Sequence, residues 1–126
     1  MQILQQAFRL YVEIAELESC IKFYEKIQST RCERRVRSTE TGIEAAKVGG
    51  VLIVAGDSQH LDRVRSVHGI YYVDSLDDFA AQLRADGVTF VHEPRTVTDG
   101  RNFTARHQDG LVMEYFEAEP QKGNRS

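Results

Sequence analysis

The 126-residue chain carries the same order of predicted secondary-structure elements twice. In the first half, the stretch "AFRLYVEIA" alternates apolar and polar residues as a half-buried strand does. A stripe of apolar residues at helical spacing follows from Glu16. The stretches "RCERRVRSTE", "GIEAAKV" and "GGVLIVAG" are then predicted to be three strands, separated by turn signals at Thr41-Gly42 and Gly49-Gly50. The first half is therefore predicted to be β-α-β-β-β.

The second half repeats this order. The stretch "HGIYYVD" is predicted to be a strand, and Ser75 is predicted to cap the helix that follows, with Asp78 three residues further on. Gly87 is the expected end of that helix. Three more strands are predicted in "VTFVHE", "NFTARH" and "GLVMEYFEA", with Asp109-Gly110 as the clearest hairpin turn. The second half is again β-α-β-β-β.

The two halves align in detail. Arg9 begins the first strand of one half, and His68 begins that of the other, 59 positions later. Ile53 lies four residues after Gly49, as Glu114 does after Gly110. Such a repeat predicts an α+β fold in which two βαβββ modules form one domain. By strand parity, residues 9, 11 and 13 share one sheet face, as do 68, 70 and 72, and the opposite face packs on the helices. The predicted boundaries are 7–56 for the first repeat, 57–66 for a linker, 67–118 for the second repeat and 119–126 for a polar tail.

Composition excludes some classes of partner. The formal net charge is −3, which gives no reason to expect nucleic acid or an anionic membrane surface as a partner. No apolar stretch approaches the roughly 20 residues that crossing a bilayer needs, and "MQILQQAF" is not typical of a secretory signal. Cys20 and Cys32 have no metal-site spacing and are expected to be reduced thiols. We therefore expect a soluble, cytoplasmic domain.

Three segments carry a resemblance to a known family. "AELESCIKFYEKI" is similar to that family's entry into its first helix, and "HQDGLVMEYFE" is similar to its final hairpin and acid-bearing strand. The intervening "EPRTVTDGRNF" also looks like the loop before that hairpin. Over residues 7–118 the chain resembles the vicinal oxygen chelate superfamily, which includes glyoxalases, bleomycin-resistance proteins and extradiol dioxygenases. The resemblance implies two modules that curl into an incomplete barrel around a cleft, and it suggests a homodimer.

In metal-dependent members of this superfamily, up to four side chains from the first and last strands of each module converge on a divalent cation. Carried over to this chain, those positions fall on Arg9, Ile53, His68 and Glu114. His68 and Glu114 match the family's ligand types. Ile53 has no donor atom, and Arg9 is a permanent cation without a lone pair to donate. The resemblance therefore implies an incomplete metal site.

A metal at such a site would be weakly held. Hard divalent cations generally need more than two fixed protein ligands. A guanidinium about 4 Å away would repel a dication by about 8 kcal/mol at an effective dielectric constant of ~20. We therefore favour no cofactor, with Mn²⁺, Ni²⁺, Zn²⁺ or Fe²⁺ held by His68 and Glu114 as the alternative. In the favoured case Arg9 replaces the metal, pairs with Glu114 and is joined by His68 at the cleft floor. The predicted ligand-binding residues are Arg9, Tyr11, Val51, Ile53, His68, Tyr72, Glu114 and Phe116.

Two classes of function follow from this site. The first is a metal-free protein that binds a small aromatic or hydrophobic molecule in the cleft, as the bleomycin-resistance branch does in sequestration-type resistance. The second is a lyase, isomerase or dioxygenase that uses His68 and Glu114 as residual metal ligands or catalytic groups. A metal-free enzyme would use Glu114 as a base and Arg9 to stabilise an oxyanion. The sequence favours binding, because positions 9 and 53 lack metal ligands.

Plainer readings of the same residues stay open. His68 would be an ordinary surface histidine at the start of a strand if its register with Arg9 were accidental. Glu114 would be a solvent-facing strand residue, and Arg9 would pair locally with Glu13 on the same face of its strand. The arginine-rich "RCERRVR" is predicted to be a solvated edge strand.

Overall fold

The computed structural model describes residues 1–120, whose strands form one eight-stranded sheet. The strands are β1 (Ile3–Val12), β2 (Arg34–Arg37), β3 (Glu44–Val48), β4 (Val51–Ala55), β5 (Gly69–Val73), β6 (Thr89–Val97), β7 (Gly100–Arg106) and β8 (Val112–Ala118). The helices are α1 (Leu17–Gln28), α2 (Ser58–Leu61) and α3 (Leu76–Ala85), and a single 3₁₀ turn (Ile14–Glu16) leads into α1. The order of strands across the sheet is β2-β3-β4-β1-β5-β8-β7-β6.

The two modules meet at the centre of the sheet. β1 and β5 pair antiparallel, with Ala7 opposite Ile70. Within each module the first and last strands are parallel neighbours, β1 with β4 and β5 with β8. The two edge strands curl toward each other until Arg34 of β2 reaches Asp99, beside β6, at 3.0 Å. The sheet is therefore an incomplete barrel around a cleft, and the predicted α+β fold with two βαβββ modules is confirmed.

The convex face of the sheet carries two cores, one under each long helix. Under α1 the buried residues are aliphatic: Leu17, Ile21, Ala46, Val48, Ile53 and Ala55. Under α3 the core is largely aromatic, with Phe79, Phe103 and Tyr115 among its buried residues. The ring of Phe103 stacks between Phe90, at a centroid distance of 4.9 Å, and Tyr115, at 4.8 Å. Each helix thus covers the sheet half of its own module and leaves the concave face open.

Local signals set several element boundaries as predicted. The hydroxyl of Ser75 accepts a hydrogen bond from the backbone N–H of Asp78 at 3.3 Å, which caps α3 at its start. Gly87 follows the end of this helix with φ +77°, a conformation that favours glycine. Asp109 accepts from the N–H of Leu111 through its carboxylate at 3.0 Å, inside the predicted hairpin turn.

Two predicted boundaries were wrong, and the predicted linker has a helix inside it. β1 begins at Ile3 rather than near Ala7, because the preceding residues continue to pair with β5. The segment expected to be a loop before the last hairpin is instead paired strand, since β6 runs through Pro94 to Val97 and joins β7 by a tight turn at Asp99. The linker contains the short helix α2.

Of the predicted polar tail 119–126, residues 121–126 lie outside the described residues. None of the helices within residues 1–120 combines the length and apolarity needed to cross a bilayer.

Candidate functional site

The concave face of the sheet holds a cavity of about 610 Å³ to which both modules contribute. That volume is within the range of small-molecule sites. Its apolar lining is formed by Val36, Ile43, Ala45, Leu52, Val54, Ile70, Tyr72, Val97 and Phe116. Its charged lining is formed by Arg9, Arg34, Glu40, Lys47, Arg95 and Glu114, and hydroxyl-bearing residues of the β2–β3 and β6–β7 loops stand beside them. The cleft is therefore an apolar pocket with a few fixed polar groups.

Arg9, Glu114 and Asn102 form a polar cluster in this cavity. Nη1 of Arg9 lies 3.5 Å from Oε1 of Glu114, and Nδ2 of Asn102 donates to Oε2 of the same carboxylate at 2.8 Å. The side chains of Arg9 and Glu114 are only 9% and 14% exposed. Nε of Arg9 and Oδ1 of Asn102 are buried and have no hydrogen-bond partner among the described residues. The carboxylate thus has one close partner and one loose partner, and the cluster keeps an unused donor and an unused acceptor.

Strand register explains how these side chains meet. Arg9 is on β1 and Glu114 is on β8, the two strands that flank β5. Asn102 lies on β7 opposite Phe116, and Glu114 lies opposite Thr104, so Asn102 and Glu114 are diagonal neighbours on one face. The predicted pairing of Arg9 with Glu114 is present in the structure.

The four positions that the resemblance singles out need a correction. Arg9 is opposite Leu52, and Ile70 is opposite Glu114, and all four of these residues line the cavity. The prediction placed Ile53 where Leu52 lies. Ile53 is fully buried on the other face, under α1. Successive residues of a strand point to opposite faces, so an error of one residue moves a side chain out of the cleft.

The error has a physical cause in the hairpins. The β3–β4 hairpin pairs Val48 with Val51, whereas the β7–β8 hairpin first pairs Arg106 with Val112 and is longer. Two residues at the same distance from their turn glycines, Ile53 and Glu114, therefore point to opposite faces of the sheet. The same error put Val51 in the cleft, whereas it packs on the aliphatic core under α1.

The structure does not bring His68 into the cleft. His68 precedes β5, is exposed, and does not line the cavity. Its Nδ1 accepts a hydrogen bond from the backbone N–H of Val112 at 2.9 Å, so the ring ties β5 to β8. The place predicted for His68 beside Glu114 is taken by Ile70, two residues further along the same strand face.

The predicted aromatic residues differ in their roles. Tyr72 and Phe116 line the cavity and pack edge to face, with ring centroids 5.8 Å apart. A Cβ at Gly100 would lie 2.8 Å from the Phe116 ring, so glycine there leaves room for it. The Tyr11 hydroxyl lies 2.8 Å and 2.6 Å from the carbonyl oxygens of Val64 and Val67, so it secures the linker rather than facing the cavity.

Both cleft-side tyrosines hold their protons tightly. Burial raises the pKa of Tyr72, and the nearby negative charge of Glu114 raises it further. Burial also raises the pKa of Tyr11, although the Arg9 guanidinium partly offsets this. Tyr72 therefore faces the cavity as a neutral phenol at physiological pH.

The polar residues that line the cavity and that sequence reasoning missed include Arg34, Lys47, Arg95 and Asn102. The signal for Arg34 was alternation within "RCERRVR", because Arg34 and Val36 face the cleft while Arg35 points away and pairs with Glu18 and Glu44. The prediction of a solvated edge strand is therefore correct for only one face of β2.

Lys47 is a buried cation beside the cleft. Its side chain is 7% exposed, and Nζ bonds to the carbonyl oxygen of Gly49 at 2.6 Å and to Glu33 at 3.2 Å. Nζ also lies 5.6 Å from the Tyr72 ring centroid. These partners fix Lys47 against one wall of the cavity.

The cleft does not fit a divalent metal. Within residues 1–120, no three His, Cys, Asp or Glu side chains lie close enough to hold one. The four positions that would supply ligands carry Arg9, Leu52, Ile70 and Glu114, which together provide one carboxylate and a permanent cation. The cationic group that faces Glu114 is the Arg9 guanidinium.

The fold is similar to that of solved methylmalonyl-CoA epimerases. The epimerase from Mycobacterium tuberculosis is 22% identical over 94% of this chain and 90% of its own, with a TM-score of 0.68. A Streptomyces coelicolor methylmalonyl-CoA epimerase in complex with 2-nitronate-propionyl-CoA is 15% identical over 94% of this chain and 100% of its own, with a TM-score of 0.64. At these identities the likeness shows the fold alone.

The chain belongs to the same family as an uncharacterised protein from Methanosarcina mazei. That protein's crystal structure is 37% identical over 97% of this chain and 98% of its own, with a TM-score of 0.87. No family model matches the chain, and no curated protein does.

Proposed function

We propose that this protein is a metal-free small-molecule binding protein of the vicinal oxygen chelate superfamily. The ligand presents an oxygen-bearing group to Arg9 and packs its apolar body between Tyr72 and Phe116. One observation carries the proposal. Arg9 is nine-tenths buried in the wall of a 610 Å³ cavity, and its Nη1 lies 3.5 Å from Oε1 of Glu114.

The energetics of a buried guanidinium favour this reading. Burying a charge is costly unless ion pairs and hydrogen bonds compensate for the lost water. The 3.5 Å separation between Arg9 and Glu114 exceeds the 2.7–2.9 Å range of strong charge-assisted hydrogen bonds. A ligand acceptor at the terminal Nη groups of Arg9 would supply a closer partner than Glu114 does. The cleft is thus arranged for an oxygen anion or carbonyl group before any ligand arrives.

The fold is compatible with a small organic ligand but does not identify that ligand. The epimerase neighbours act, by their names, on methylmalonyl-CoA. For this chain, an aromatic or branched hydrophobic body suits the lining of Leu52, Ile70, Tyr72 and Phe116. Sequestration of such a molecule, homodimer formation and a cytoplasmic location belong to the same proposal. Sedimentation velocity tests the homodimer.

Binding of an anionic aromatic probe tests the site. We expect 8-anilinonaphthalene-1-sulfonate to bind the native protein and to gain fluorescence. Val36→Trp fills the cavity from the edge strand β2, because Val36 lines it, and we expect at least tenfold weaker binding. Val91→Trp is the matched control, because Val91 is exposed on the other edge strand and outside the cavity lining.

Two results would contradict the proposal. Equal probe affinity of Val36→Trp and Val91→Trp would place the probe outside the cleft. Tight stoichiometric uptake of Mn²⁺, Ni²⁺, Zn²⁺ or Fe²⁺ by the purified protein, lost in Glu114→Gln, would make the metal-dependent alternative the better one.

A metal-free enzyme is the second candidate, because a carboxylate faces the same cavity. Glu114 would take a proton from a carbon acid while Arg9 stabilises the resulting oxyanion. Against this, Asn102 donates to Oε2 of Glu114 at 2.8 Å, so only Oε1 is left to take a proton. Deuterium incorporation at the carbon next to the carboxylate of a bound acid, followed by NMR in D₂O, distinguishes the two. Exchange that Glu114→Gln abolishes would favour the enzyme.

A further inference from the structure

The cluster in the cleft offers ligands two opposite kinds of group side by side. Arg9 lines the cavity with a guanidinium whose N–H groups can only donate. Glu114 Oε1, 3.5 Å from Arg9, is an acceptor whose one neighbour is too distant for a strong hydrogen bond. Asn102 engages the other oxygen of this carboxylate, because its Nδ2 donates to Oε2 of Glu114 at 2.8 Å.

We propose that this cleft selects ligands that carry an acceptor and a donor on neighbouring atoms, as a 2-hydroxy acid does. The ligand carboxylate takes the Arg9 guanidinium, and the ligand hydroxyl donates to Glu114. The inference rests on the proposed function and adds to it the chemical class of the ligand.

The selectivity of the cleft depends on which ligand atoms carry hydrogens. A divalent cation binds lone pairs, so a metal site accepts a 2-oxo acid as readily as a 2-hydroxy acid. To bind the Arg9–Glu114 pair, a ligand must present a lone pair to Arg9 and a hydrogen to Glu114. A 2-oxo acid or a methyl ether would place a ligand oxygen against the Glu114 carboxylate, with no hydrogen between them. Leaving a charged group without its hydrogen bond costs about 1.5–3 kcal/mol, or about tenfold or more in affinity.

Asn102 is the positioning residue of this arrangement. Its 2.8 Å hydrogen bond holds Oε2 of Glu114, which leaves Oε1 on the Arg9 side for the ligand. The rest of the ligand meets apolar surface, since Leu52 and Ile70 lie opposite Arg9 and Glu114 on the neighbouring strands and line the same cavity. A phenyl or branched alkyl substituent on the hydroxyl-bearing carbon suits that surface.

Three matched acids test the inference by displacing bound 8-anilinonaphthalene-1-sulfonate. Mandelate has a hydroxyl donor, 2-methoxy-2-phenylacetate has an ether oxygen, and phenylglyoxylate has a carbonyl. We expect mandelate to displace the probe at about tenfold lower concentration than the other two.

Glu114→Gln tests whether Glu114 accepts the hydrogen of the ligand hydroxyl or has a structural role alone. A glutamine amide can donate as well as accept, so we expect the preference for mandelate over phenylglyoxylate to fall to about threefold or less. Asn102→Ala should reduce the preference in the same direction, because Glu114 loses its fixed orientation. Asp77→Asn, in an exposed ion pair with Arg101 outside the cavity, is the control and should leave the preference intact. Circular dichroism and thermal melting establish that each variant is folded.

The outcomes separate this inference from the proposed function. If the probe binds in the cleft but the methyl ether or the oxo acid displaces it as well as mandelate does, the inference is wrong and the proposed function stands. Failure of all three acids to displace a cleft-bound probe would also overturn the inference. Probe binding that is insensitive to Val36→Trp would overturn the proposed function itself.

Discussion

The two modules share one topology but build it from different side chains. In the first, α1 packs on small aliphatic residues such as Ala46, Val48 and Ile53. In the second, α3 packs on a stack of rings centred on Phe103. The same βαβββ framework is therefore compatible with either kind of core, provided that strand parity sends those side chains to the convex face.

The concave faces differ in a complementary way. The first module presents Arg9 beside Leu52, and the second presents Ile70 beside Glu114. Each module thus contributes one charged and one apolar residue at these strand positions, and the ion pair between Arg9 and Glu114 needs both modules. The difference teaches that the candidate site depends on how the modules meet, because the β1–β5 pairing, together with the β5–β8 pairing, sets the separation of Arg9 from Glu114.

Phe103→Ala should have the largest effect on stability. Phe103 is fully buried and stacked on both sides, so its truncation leaves a large cavity and should lower the free energy of unfolding by about 4 kcal/mol. Ile53→Ala, its fully buried counterpart in the aliphatic core, should cost about 3 kcal/mol. Urea unfolding measures both. A smaller loss for Phe103→Ala would show that the aromatic core is the more adaptable of the two.

The ion pair between the modules should show strong coupling. Arg9→Met leaves Glu114 partly buried without its cation, and Glu114→Leu leaves Arg9 unpaired. We expect each single variant to lose about 2–3 kcal/mol, which is below the usual cost for a fully buried pair because Glu114 is 14% exposed. The double variant should lose less than either, since apolar residues can replace a buried pair. A double-mutant cycle from urea unfolding measures this, and additive losses would contradict the coupling.

Alkaline pH should lower the stability of the protein through Tyr115, a titratable residue of the aromatic core. Burial raises the pKa of Tyr115 to about 12, and the neighbouring Tyr71 contributes. The folded state therefore holds this proton more tightly than the unfolded chain, whose tyrosine pKa is about 10. The resulting stability is fully present below about pH 10 and is lost as the pH rises through about 12.

Tyr115→Phe isolates this effect. At pH 11 the native protein should have lost about 1 kcal/mol more than the variant, relative to pH 8, in the free energy of unfolding. The reference at pH 8 is needed because the substitution also removes the 2.7 Å contact of the hydroxyl with His107. Parallel stability curves for the two proteins would rule out this role of Tyr115.

The order of elements and one face of the sheet could be predicted from the sequence. Alternation and helical stripes are local, so they placed nearly all the strands and both long helices, and parity along β1 and β5 put Arg9 and Tyr72 on the cleft side. The predictions that failed depended on how the strands pair with one another. Leu52 rather than Ile53 faces the cleft because the two hairpins differ in length, and hairpin length is not visible in the spacing from a glycine.

The positions of two further residues depend on strand register, which no local sequence pattern contains. His68 has the expected parity, but Ile70 is the residue of β5 that lies opposite Glu114. Asn102 begins the predicted strand "NFTARH", but its bond to Glu114 depends on the register of β7 with β8, which makes the two residues diagonal neighbours. Side chains whose role is to hold another side chain are thus the hardest to find from sequence.

The smallest effect on stability is expected at the ion pair that joins the two sheet edges. Arg34 and Asp99 are 36% and 49% exposed, so Arg34→Gln should lower the free energy of unfolding by less than about 1 kcal/mol. Arg101→Gln is the matched control, because its pair with Asp77 is also exposed but lies within the second module.

The two pairs should differ in ligand exchange rather than in stability. Arg34 lines the cavity and spans its mouth, whereas Arg101 does neither. We expect Arg34→Gln to speed dissociation of 8-anilinonaphthalene-1-sulfonate by about threefold in stopped-flow fluorescence, because an exposed ion pair contributes up to about 1 kcal/mol. Raising the salt concentration should speed dissociation from the native protein and leave Arg34→Gln nearly unchanged. Equal dissociation rates for Arg34→Gln and Arg101→Gln would mean that the modules meet firmly enough at β1 and β5 for the edge pair to be dispensable.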